Sequence, residues 1–452
     1  MANIVLIWPN DAECYKFSRK RIKRFPLGLG YIAAAAEQVG HDVRIVDGSL
    51  DELSVDEIVN SALSHNPKFI GIGFTTPLYN QSCDIVAKCK QQAPVCKIVG
   101  GGAHITALPI ATLETSQIDI AVLHEGEQVF PRILSGESLY NIPSIAFKND
   151  SGIHVTKGFR YYRKQLQNNL IDAPNLNDYP IPARHLFDNK RYGDMARDVK
   201  GAQTGAVFSR GCPGKCAFCG AANTLVRWRT NNNILDELEE IQILGIPNVF
   251  VMDDTYTNGK KRVIDLSHGM MERRLNLTYS VQLRLDQIDK EVCDAMYESG
   301  VRYVGPGVES GNEQIMKAIG KGLNESKDNI RRKVELLKCY DWTVRCSYVM
   351  GMVGETEEQI MDTIKFAEEL GADENAFSIL VPYPDSPLWS LAKQLGKAHD
   401  EMDFDKFLYY GDVGCNLSAV PTKRLLELHK FAYEYAGNPA YKLKKEDKTC
   451  LQ

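Results

Sequence analysis

The sequence has little of what would place a protein in a membrane, outside the cell or on nucleic acid. Its 452 residues contain no apolar run near the roughly 18 residues of a membrane-spanning helix. The first ten residues, MANIVLIWPN, lack the basic segment of a secretory signal peptide. The net charge of −5 predicts no broad basic surface. We therefore expect a soluble cytoplasmic protein of two or three domains, without a membrane span or a nucleic-acid partner.

Cysteine is too sparse for a disulfide scaffold, with 12 in the chain, of which nine are scattered. The other three, Cys212, Cys216 and Cys219, lie within SRGCPGKCAFCG, residues 209–220. A structural zinc ion usually has four ligands, and no fourth Cys or His lies nearby. Three thiolates on a four-iron cube leave one iron open for a substrate or cofactor. The spacing therefore favours an iron–sulfur cluster over structural zinc or a chance grouping.

The chain after these cysteines alternates between strand-like and helix-like stretches. Such alternation predicts a parallel sheet curled as a partial barrel, with its chemistry at the carboxyl ends of the strands. Polar residues fall at these ends, where a helix cap or a solvated loop is the alternative explanation. The expected strands are TGAVFS (204–209), NVFVMDD (248–254), LTYSVQLR (277–284), RYVGPGVES (302–310), TVRCSYVMGMVGE (343–355) and NAFSILVPYP (375–384).

The sequence pattern of the N-terminal part of the chain predicts a doubly wound sheet with helices on both faces. Its expected strands are NIVLIW (3–8), DVRIVD (42–47), FIGIGFTT (69–76), CKIVGGGAHIT (96–106) and IDIAVLHEGE (118–127), with a helix near 80–92. Ligands of such sheets bind outside the carboxyl ends of the strands. The glycines at 100–102 would let a bulky ligand approach the backbone. The GLG at 28–30 is a weak dinucleotide signal, since it does not directly follow a strand.

The cysteine spacing, with Phe218 before the last cysteine, resembles the signature of the radical S-adenosylmethionine (SAM) superfamily. One branch of this superfamily carries a cobalamin-binding domain, and several segments of the sequence are similar to it. These segments are SRGCP, PLGLGYIAA, GFTTP, GGxH and HEGE. This resemblance implies an α/β protein with an N-terminal flavodoxin-like, doubly wound cobalamin-binding domain and a partial TIM-barrel radical SAM domain. The implied division is a cobalamin-binding domain at 1–135, a linker at 136–200, a radical SAM domain at 201–395 and a small helical region at 396–452.

The resemblance implies three cofactors: a [4Fe-4S] cluster, SAM and cobalamin. It assigns the cluster to Cys212, Cys216 and Cys219. The SAM contacts that it implies are Asp253, Asp254, Gln282, Arg284, Glu309, Ser310 and, within MGMVGETEE, Gly354. The cobalamin contacts that it implies are Thr75, Thr76, Gly101, Gly102, His104 and Glu125.

One motif of other cobalamin proteins is missing. The Asp-x-His-x-x-Gly motif, whose histidine ligates cobalt in methionine synthase and the mutases, does not occur, and His41 does not supply it. The resemblance therefore implies either cobalamin bound without that histidine or a front domain that no longer binds cobalamin.

The activity that the resemblance implies is methylation of an unactivated carbon in a small molecule. A 5′-deoxyadenosyl radical would abstract hydrogen, methylcobalamin would supply the methyl group, and flavodoxin or ferredoxin would supply electrons. The alternatives are a radical cyclisation or rearrangement without methyl transfer, an RNA methylthiotransferase with a second cluster, and a non-enzymatic cluster-binding sensor. The sequence identifies neither the substrate nor a general base.

Overall fold

The computed structural model describes residues 3–15, 22–161, 170–194, 201–321, 326–408, 410 and 412–437. Its residues form two compact units. The first unit comprises Met1–Thr204 and Ala398–Phe407, and the second comprises Gly205–Lys397 and Leu408–Gln452. Among the described residues, no helix has both the length and the apolar character needed to cross a membrane.

The first unit is built on a seven-stranded sheet in the order β3-β1-β4-β5-β6-β7-β8. Its strands are β1 (Asn3–Trp8), β3 (Asp42–Asp47), β4 (Phe69–Gly73), β5 (Lys97–Gly101), β6 (Ile120–Val122), β7 (Ile145–Asn149) and β8 (Gly152–Val155). The pairings from β3 to β6 are parallel, whereas β7 and β8 join antiparallel. The order of the five parallel strands is that of flavodoxin, so the doubly wound prediction is confirmed.

Alternate side chains of β1 point to opposite faces of the first sheet. Ile4 and Leu6 pack into one buried core, and Val5 and Ile7 pack into a second. Both faces are therefore covered, as expected for parallel strands. The helices of this unit are α1 (Leu27–Gln38), α2 (Gly48–Asp51), α3 (Val55–Ser64), α4 (Tyr79–Gln92), α5 (Ala103–Ala107), α6 (Pro109–Thr115) and α7 (Phe130–Leu134).

Residues 136–200, expected from the sequence to be a linker, include β7 and β8 of the first sheet. These strands are short and join as a hairpin, which carries little of the strand–helix alternation that marks the rest of the sheet. Two small strand pairs also belong to this unit: β2 (Ile22–Lys23) with β11 (Gly193–Asp194), and β9 (Phe159–Arg160) with β10 (Ile171–Asp172).

The second unit contains a six-stranded sheet in the order β12-β15-β16-β17-β18-β19. Its strands are β12 (Gln203–Ala206), β15 (Asn248–Val251), β16 (Thr278–Leu283), β17 (Val301–Glu309), β18 (Thr343–Met350) and β19 (Glu374–Ile379). From β15 to β19 every strand pairs in parallel with the next one along the chain. This is the strand order of a β/α barrel left open between its first and last strands, as the sequence predicts.

Helices connect these strands and follow the last one. They are α8 (Asn231–Ile243), α9 (Lys260–Glu272), α10 (Lys290–Glu298), α11 (Glu313–Ile319), α12 (Lys327–Lys338), α13 (Glu357–Leu370), α14 (Pro387–Gln394) and α15 (Thr422–Ala436). A hairpin of β13 (Ser209–Arg210) and β14 (Arg227–Trp228) brackets the cysteines between β12 and α8. The functional residues expected from the sequence therefore lie at the carboxyl ends of strands in both units.

Candidate functional site

The three clustered cysteines lie in a loop of residues 211–224, called the cysteine loop below. The loop is folded by its own hydrogen bonds: the Asn223 amide donates to the Gly214 carbonyl at 2.6 Å, and the Thr224 amide donates to the Cys212 carbonyl at 3.0 Å. Gly211 enters the loop at φ +97°, and a Cβ there would lie 2.1 Å from the Leu225 carbonyl oxygen. Only glycine fits this position, because a side chain would collide with fixed backbone.

Cys212, Cys216 and Cys219 are half-buried free thiols. Burial raises the pKa of Cys216 to about 11 and also raises that of Cys219. A bound metal deprotonates such a thiol outright. Among the described residues no three ligating side chains converge on one metal ion. A four-iron cube does not need such convergence, since each cysteine ligates a different iron, and the soft donor set suits iron–sulfur.

Two carboxylates at the end of β15 hold the peptide that leads into Cys212. Buried Asp253 accepts from the amides of Phe208 at 2.7 Å and Ser209 at 3.0 Å, and also from the Ser209 hydroxyl. Asp254 accepts from the Gly211 amide at 2.7 Å. Burial raises the pKa of both carboxyls. Both oxygens of Asp253 are thus used to anchor the peptide that precedes the cysteine loop, and the SAM contact expected from this pair stays a prediction.

Glu309 ends β17 in an unusual backbone conformation, with φ +71°. A register shift between Gly307 and Glu309 accompanies it, as in a β-bulge that redirects a side chain. The carboxylate accepts from Lys321 Nζ at 2.8 Å, and Lys321 also donates to the Gly307 carbonyl. Such strain in a non-glycine residue is typical of functional positions. The sequence analysis missed Lys321, which follows α11 and lies outside any motif.

Gln282 lies near the end of β16 and Arg284 directly follows the strand, and the two side chains differ in their surroundings. The half-buried Gln282 side chain packs over Gly305, where a Cβ would lie 2.4 Å from Oε1. The Arg284 guanidinium forms a two-point pair with Asp286, at 2.9 and 2.8 Å, and donates to the Lys321 carbonyl at 2.7 Å. Arg284 is therefore held in place by the protein itself, and its predicted contact with SAM stays a prediction.

Ser310 is completely buried behind the strand end. Its hydroxyl lies 3.0 Å from Thr363 Oγ1 on α13 and accepts from the Asn312 amide at 3.1 Å. These bonds place the start of α11. The predicted SAM contact of Ser310 is untested, but its hydroxyl already has protein partners.

The turn after β18 is organised by a carboxyl group that the sequence analysis did not single out. Glu355, fully buried, accepts from the amides of Gly351 at 2.6 Å and Met352 at 2.9 Å. Burial raises the pKa of Glu355 to about 7. The neighbouring Gly354, a predicted SAM contact, is exposed at φ +66°. The quoted MGMVGETEE stretch contained the signal, since an acidic residue in the turn after a strand can accept hydrogen bonds from the amides of that turn.

In the first unit, the predicted cobalamin contacts lie at the carboxyl ends of three neighbouring strands. Thr75 and Thr76 follow β4, Gly101 ends β5, and Glu125 follows β6. A Cβ on Gly101 would meet no atom closer than 4.0 Å. Since nothing in the chain requires glycine there for space, the open backbone fits the close approach of a large ligand.

Gly102 and His104 follow β5, the first exposed and the second buried. Gly102 has φ +118°, and a Cβ there would lie 2.5 Å from the Phe74 carbonyl oxygen. His104 is buried, with Nδ1 3.4 Å from Thr76 Oγ1, and its ring packs 4.3 Å from that of Tyr79. Burial lowers the pKa of His104 to about 4, so the imidazole is neutral at physiological pH.

Glu125 accepts a hydrogen bond from the Tyr179 hydroxyl at 2.6 Å. This contact ties the end of β6 to the segment after β10. The six predicted cobalamin contacts are therefore of two kinds. Gly102 is exposed and Thr75 and Gly101 are half-buried, whereas Thr76 and His104 are buried and Glu125 is hydrogen-bonded to Tyr179.

A second cluster in the first unit would need ligands from among Cys14, Cys83, Cys89 and Cys96, of which Cys14 is half-buried. Cys89 and Cys96 are buried in the core, and Cys83 lies within α4. Burial raises the pKa of both Cys83 and Cys89 to about 11. These thiols are packed as small apolar side chains rather than presented to a ligand.

Comparisons with known proteins match both units. The B12 binding domain family matches residues 24–134, and the radical SAM superfamily matches residues 206–367. An uncharacterized methyltransferase of Pyrococcus horikoshii is 31% identical, over 81% of this chain and 78% of its own. An anaerobic magnesium-protoporphyrin IX monomethyl ester cyclase of Rubrivivax gelatinosus is 23% identical, over 84% of this chain and 68% of its own.

The fold is also that of a solved structure. The radical SAM methyltransferase TsrM from Kitasatospora setae, solved with cobalamin and a [4Fe-4S] cluster, superposes with a TM-score of 0.74. The superposition covers 96% of this chain and 91% of that one, at 17% identity. At this identity the likeness establishes the fold.

Proposed function

The chain belongs to the radical SAM enzymes that carry a B12-binding domain, and from this premise we propose that it methylates an unactivated carbon of a small molecule. Its cofactors are a [4Fe-4S] cluster, SAM and cobalamin. The observation that carries the proposal is that one chain contains both features. The second unit has a three-cysteine loop at its strand ends, and the first unit has glycine-rich strand ends. The name of the Pyrococcus relative also supports methylation.

When bound, these groups would supply the abstraction of a hydrogen atom and the methyl group that takes its place. The chain's own residues hold and orient them. Cys212, Cys216 and Cys219 bind the cluster. Asp254 holds the first amide of the cysteine loop, and Asp253 holds the amides of the peptide that leads into it. Their work is positioning, which contributes to catalysis by fixing the reacting groups in advance.

Of the predicted SAM contacts, Glu309 and Gln282 are the best placed to meet a ligand. Both are half-buried at neighbouring strand ends, and neither is enclosed as Ser310 is. Lys321 fixes the direction of the Glu309 carboxylate, which can accept hydrogen bonds from hydroxyl groups such as those of a ribose. We propose that Glu309 and Gln282 bind SAM and that Arg284 and Ser310 act through their protein partners.

In the first unit, the exposed backbone of Gly101 and Gly102 and the side chain of Thr75 would contact cobalamin. His104 would stay neutral near these residues, because its ring is buried and its Nδ1 faces Thr76. Cobalamin would then be bound without a histidine of the Asp-x-His-x-x-Gly motif, which the sequence lacks.

The setting of the enzyme is part of the same proposal. We place it in the cytoplasm, with a small-molecule substrate, flavodoxin or ferredoxin as electron donor, and no nucleic-acid partner. The net charge of −5 supports the last point.

Cyclisation or rearrangement is the second candidate, favoured by the 23% identity to the Rubrivivax cyclase. A test without substrate separates the two. The full chain is loaded anaerobically with iron, sulfide and cobalamin, reduced, and incubated with SAM carrying a labelled methyl group. A methyltransferase is expected to release S-adenosylhomocysteine and to retain the label in proportion to its cobalamin content. Bound cobalamin without S-adenosylhomocysteine would reject methylation in favour of rearrangement, and iron without cobalamin would reject both.

A further inference from the structure

Arg284 is held rigidly at the end of β16 beside the cysteine loop. Nε and Nη2 form the two-point pair with Asp286, and Nη2 also donates to the Lys321 carbonyl at 2.7 Å. A planar guanidinium bound at these points has little freedom to turn. The direction of the remaining nitrogen, Nη1, is therefore set by the protein.

Nη1 lies against the loop at Gly214, between two of the cluster cysteines. A Cβ built on Gly214 would lie 3.1 Å from Arg284 Nη1, 3.2 Å from Cys212 Sγ and 3.9 Å from Cys216 Sγ. The cation and both sulfur atoms thus surround one small space. Glycine at position 214 keeps that space open, since any side chain would separate the guanidinium from the sulfur atoms.

A second cation approaches the loop from the end of α11. The Ala217 amide, between two cluster cysteines, donates to the Ile319 carbonyl at 2.9 Å, and a Cβ on Gly320 would lie 3.4 Å from the Lys215 carbonyl oxygen. Lys321 follows directly and is itself held by Glu309 and the Gly307 carbonyl. The segment 319–321 therefore fastens the loop and carries the ammonium group that binds Glu309 and the Gly307 carbonyl at the end of β17.

Both cations are better shielded from water than the acids that pair with them. Relative exposure is 11% for the Arg284 side chain against 30% for Asp286, and 6% for Lys321 against 13% for Glu309. Charges that are less exposed are less screened and act over longer distances. Within each pair the cation is therefore screened less than its acid, so the positive charge held beside the cysteine loop is not fully cancelled by its partner.

We propose that Arg284 and Lys321 are positioning residues that raise the reduction potential of the cluster. Reduction adds one negative charge to the cluster, and fixed cations nearby stabilise the reduced form more than the oxidised form. This eases the electron transfer that must precede SAM cleavage. The inference rests on the cluster assignment within the proposed function, but it does not depend on the substrate or on methyl transfer.

The test is a redox titration of the cluster by electron paramagnetic resonance, on the full chain loaded anaerobically with iron and sulfide and without SAM. Arg284→Gln and Lys321→Gln are expected to lower the midpoint potential at unchanged iron content. Lys321→Gln should lower the midpoint potential more than Arg284→Gln does, because it also leaves the negative charge of Glu309 without its ion pair. The matched control is Arg302→Gln, at the opposite end of β17, where the guanidinium donates to the Tyr297 and Val301 carbonyls at 2.7 Å.

Unchanged midpoints in both variants at full iron content would overturn the proposal, as would an equal shift in the Arg302 control. Arg284→Lys keeps the charge without the two-point pair, so its midpoint should lie above that of Arg284→Gln. A midpoint at or below that of Arg284→Gln would also overturn it. If Arg284→Gln retains no iron, Arg284→Lys and Lys321→Gln are compared with the parent instead. Because S-adenosylhomocysteine release is not measured here, failure of methylation cannot be confused with failure of this proposal.

Discussion

The two sheets are both parallel at their centres, yet they are wound differently. In the first unit the strand order reverses beside β1, so that β1 lies between β3 and β4. In the second unit each strand from β15 to β19 pairs with its successor, and the order never reverses. A reversal opens a crevice at one point of the sheet edge, whereas a sheet wound in one direction brings all of its strand ends into one row.

The chemistry at the strand ends differs in the same way. The first unit presents glycine backbone and uncharged hydroxyl groups at Thr75, Gly101 and Gly102, which leave room for a large ligand. The second presents fixed charge pairs, such as Glu309 with Lys321, which orient small charged groups. This contrast predicts that the first unit binds its ligand by shape and the second by electrostatics. If so, each can be disabled without disabling the other.

The largest expected effect comes from Cys219→Ala. Removing one of three cluster ligands should abolish iron binding, because no other cysteine occurs in the loop. Cobalamin content should stay near that of the parent, since Thr75, Gly101 and Gly102 lie in the other unit. Iron and cobalamin are measured per chain after anaerobic loading. Cys339→Ala, a half-buried cysteine at the end of α12, is the control and should retain both. Loss of cobalamin in Cys219→Ala would break the comparison.

Asp253→Asn should destabilise the second unit by about 3 kcal/mol, because it removes a buried charge that anchors two amides and faces Arg262 at 3.8 Å. Iron retention should fall and cobalamin content should not. Chemical denaturation and iron analysis measure the two effects. As the control, Asp265→Asn at an exposed position on α9 should change the free energy of unfolding by no more than about 0.5 kcal/mol. It should leave the iron content unchanged. A normal iron content in Asp253→Asn would show that the carboxylate does not position the cysteine loop.

Gly102→Ala should cost about 2 kcal/mol through its backbone strain, with a further cost from the collision with the Phe74 carbonyl. Here cobalamin content should fall while iron content is kept, the reverse of Cys219→Ala. Gly152→Ala has a similar positive φ of +115° but no atom within 4 Å, so it isolates the strain from the collision. Equal cobalamin loss in both variants would mean that the Gly102 site does not shape the binding surface.

The smallest effect is a pH dependence in the second unit. The pKa of Glu355 rises from its ordinary value of 4.5 to about 7, so the folded protein holds a proton that the unfolded chain has released. The contribution of this proton to the free energy of unfolding is fully present below pH 4.5 and is lost as the pH rises through about 7.

Glu355→Gln stays neutral, so its free energy of unfolding should improve on that of the parent by about 2 kcal/mol between mildly acidic and mildly alkaline pH. Denaturation curves across this range measure the difference. Glu358→Gln, an exposed neighbour, should run parallel to the parent. A Glu355→Gln profile that is also parallel would show that the carboxyl is ionised in the folded protein.

Most of the fold could be predicted because periodicity and strand ends are local features of the chain. The β15 to β19 strands and α4 match their expected positions closely. The β7–β8 hairpin was missed because it departs from the strand–helix alternation, and the assignment of Ala398–Phe407 to the first unit depends on packing far along the chain.

The sequence by itself is enough to predict the cluster ligands, since three thiols at short spacing can reach one cube wherever the loop lies. It also determined the strand ends at which the site residues lie. Only the tertiary structure decided what those residues do: Asp253 binds amides 44 and 45 residues away, Ser310 turns to α13, and Lys321 meets Glu309. Hydrogen bonds between distant segments form only when packing brings them together, so no local pattern of residues can specify them.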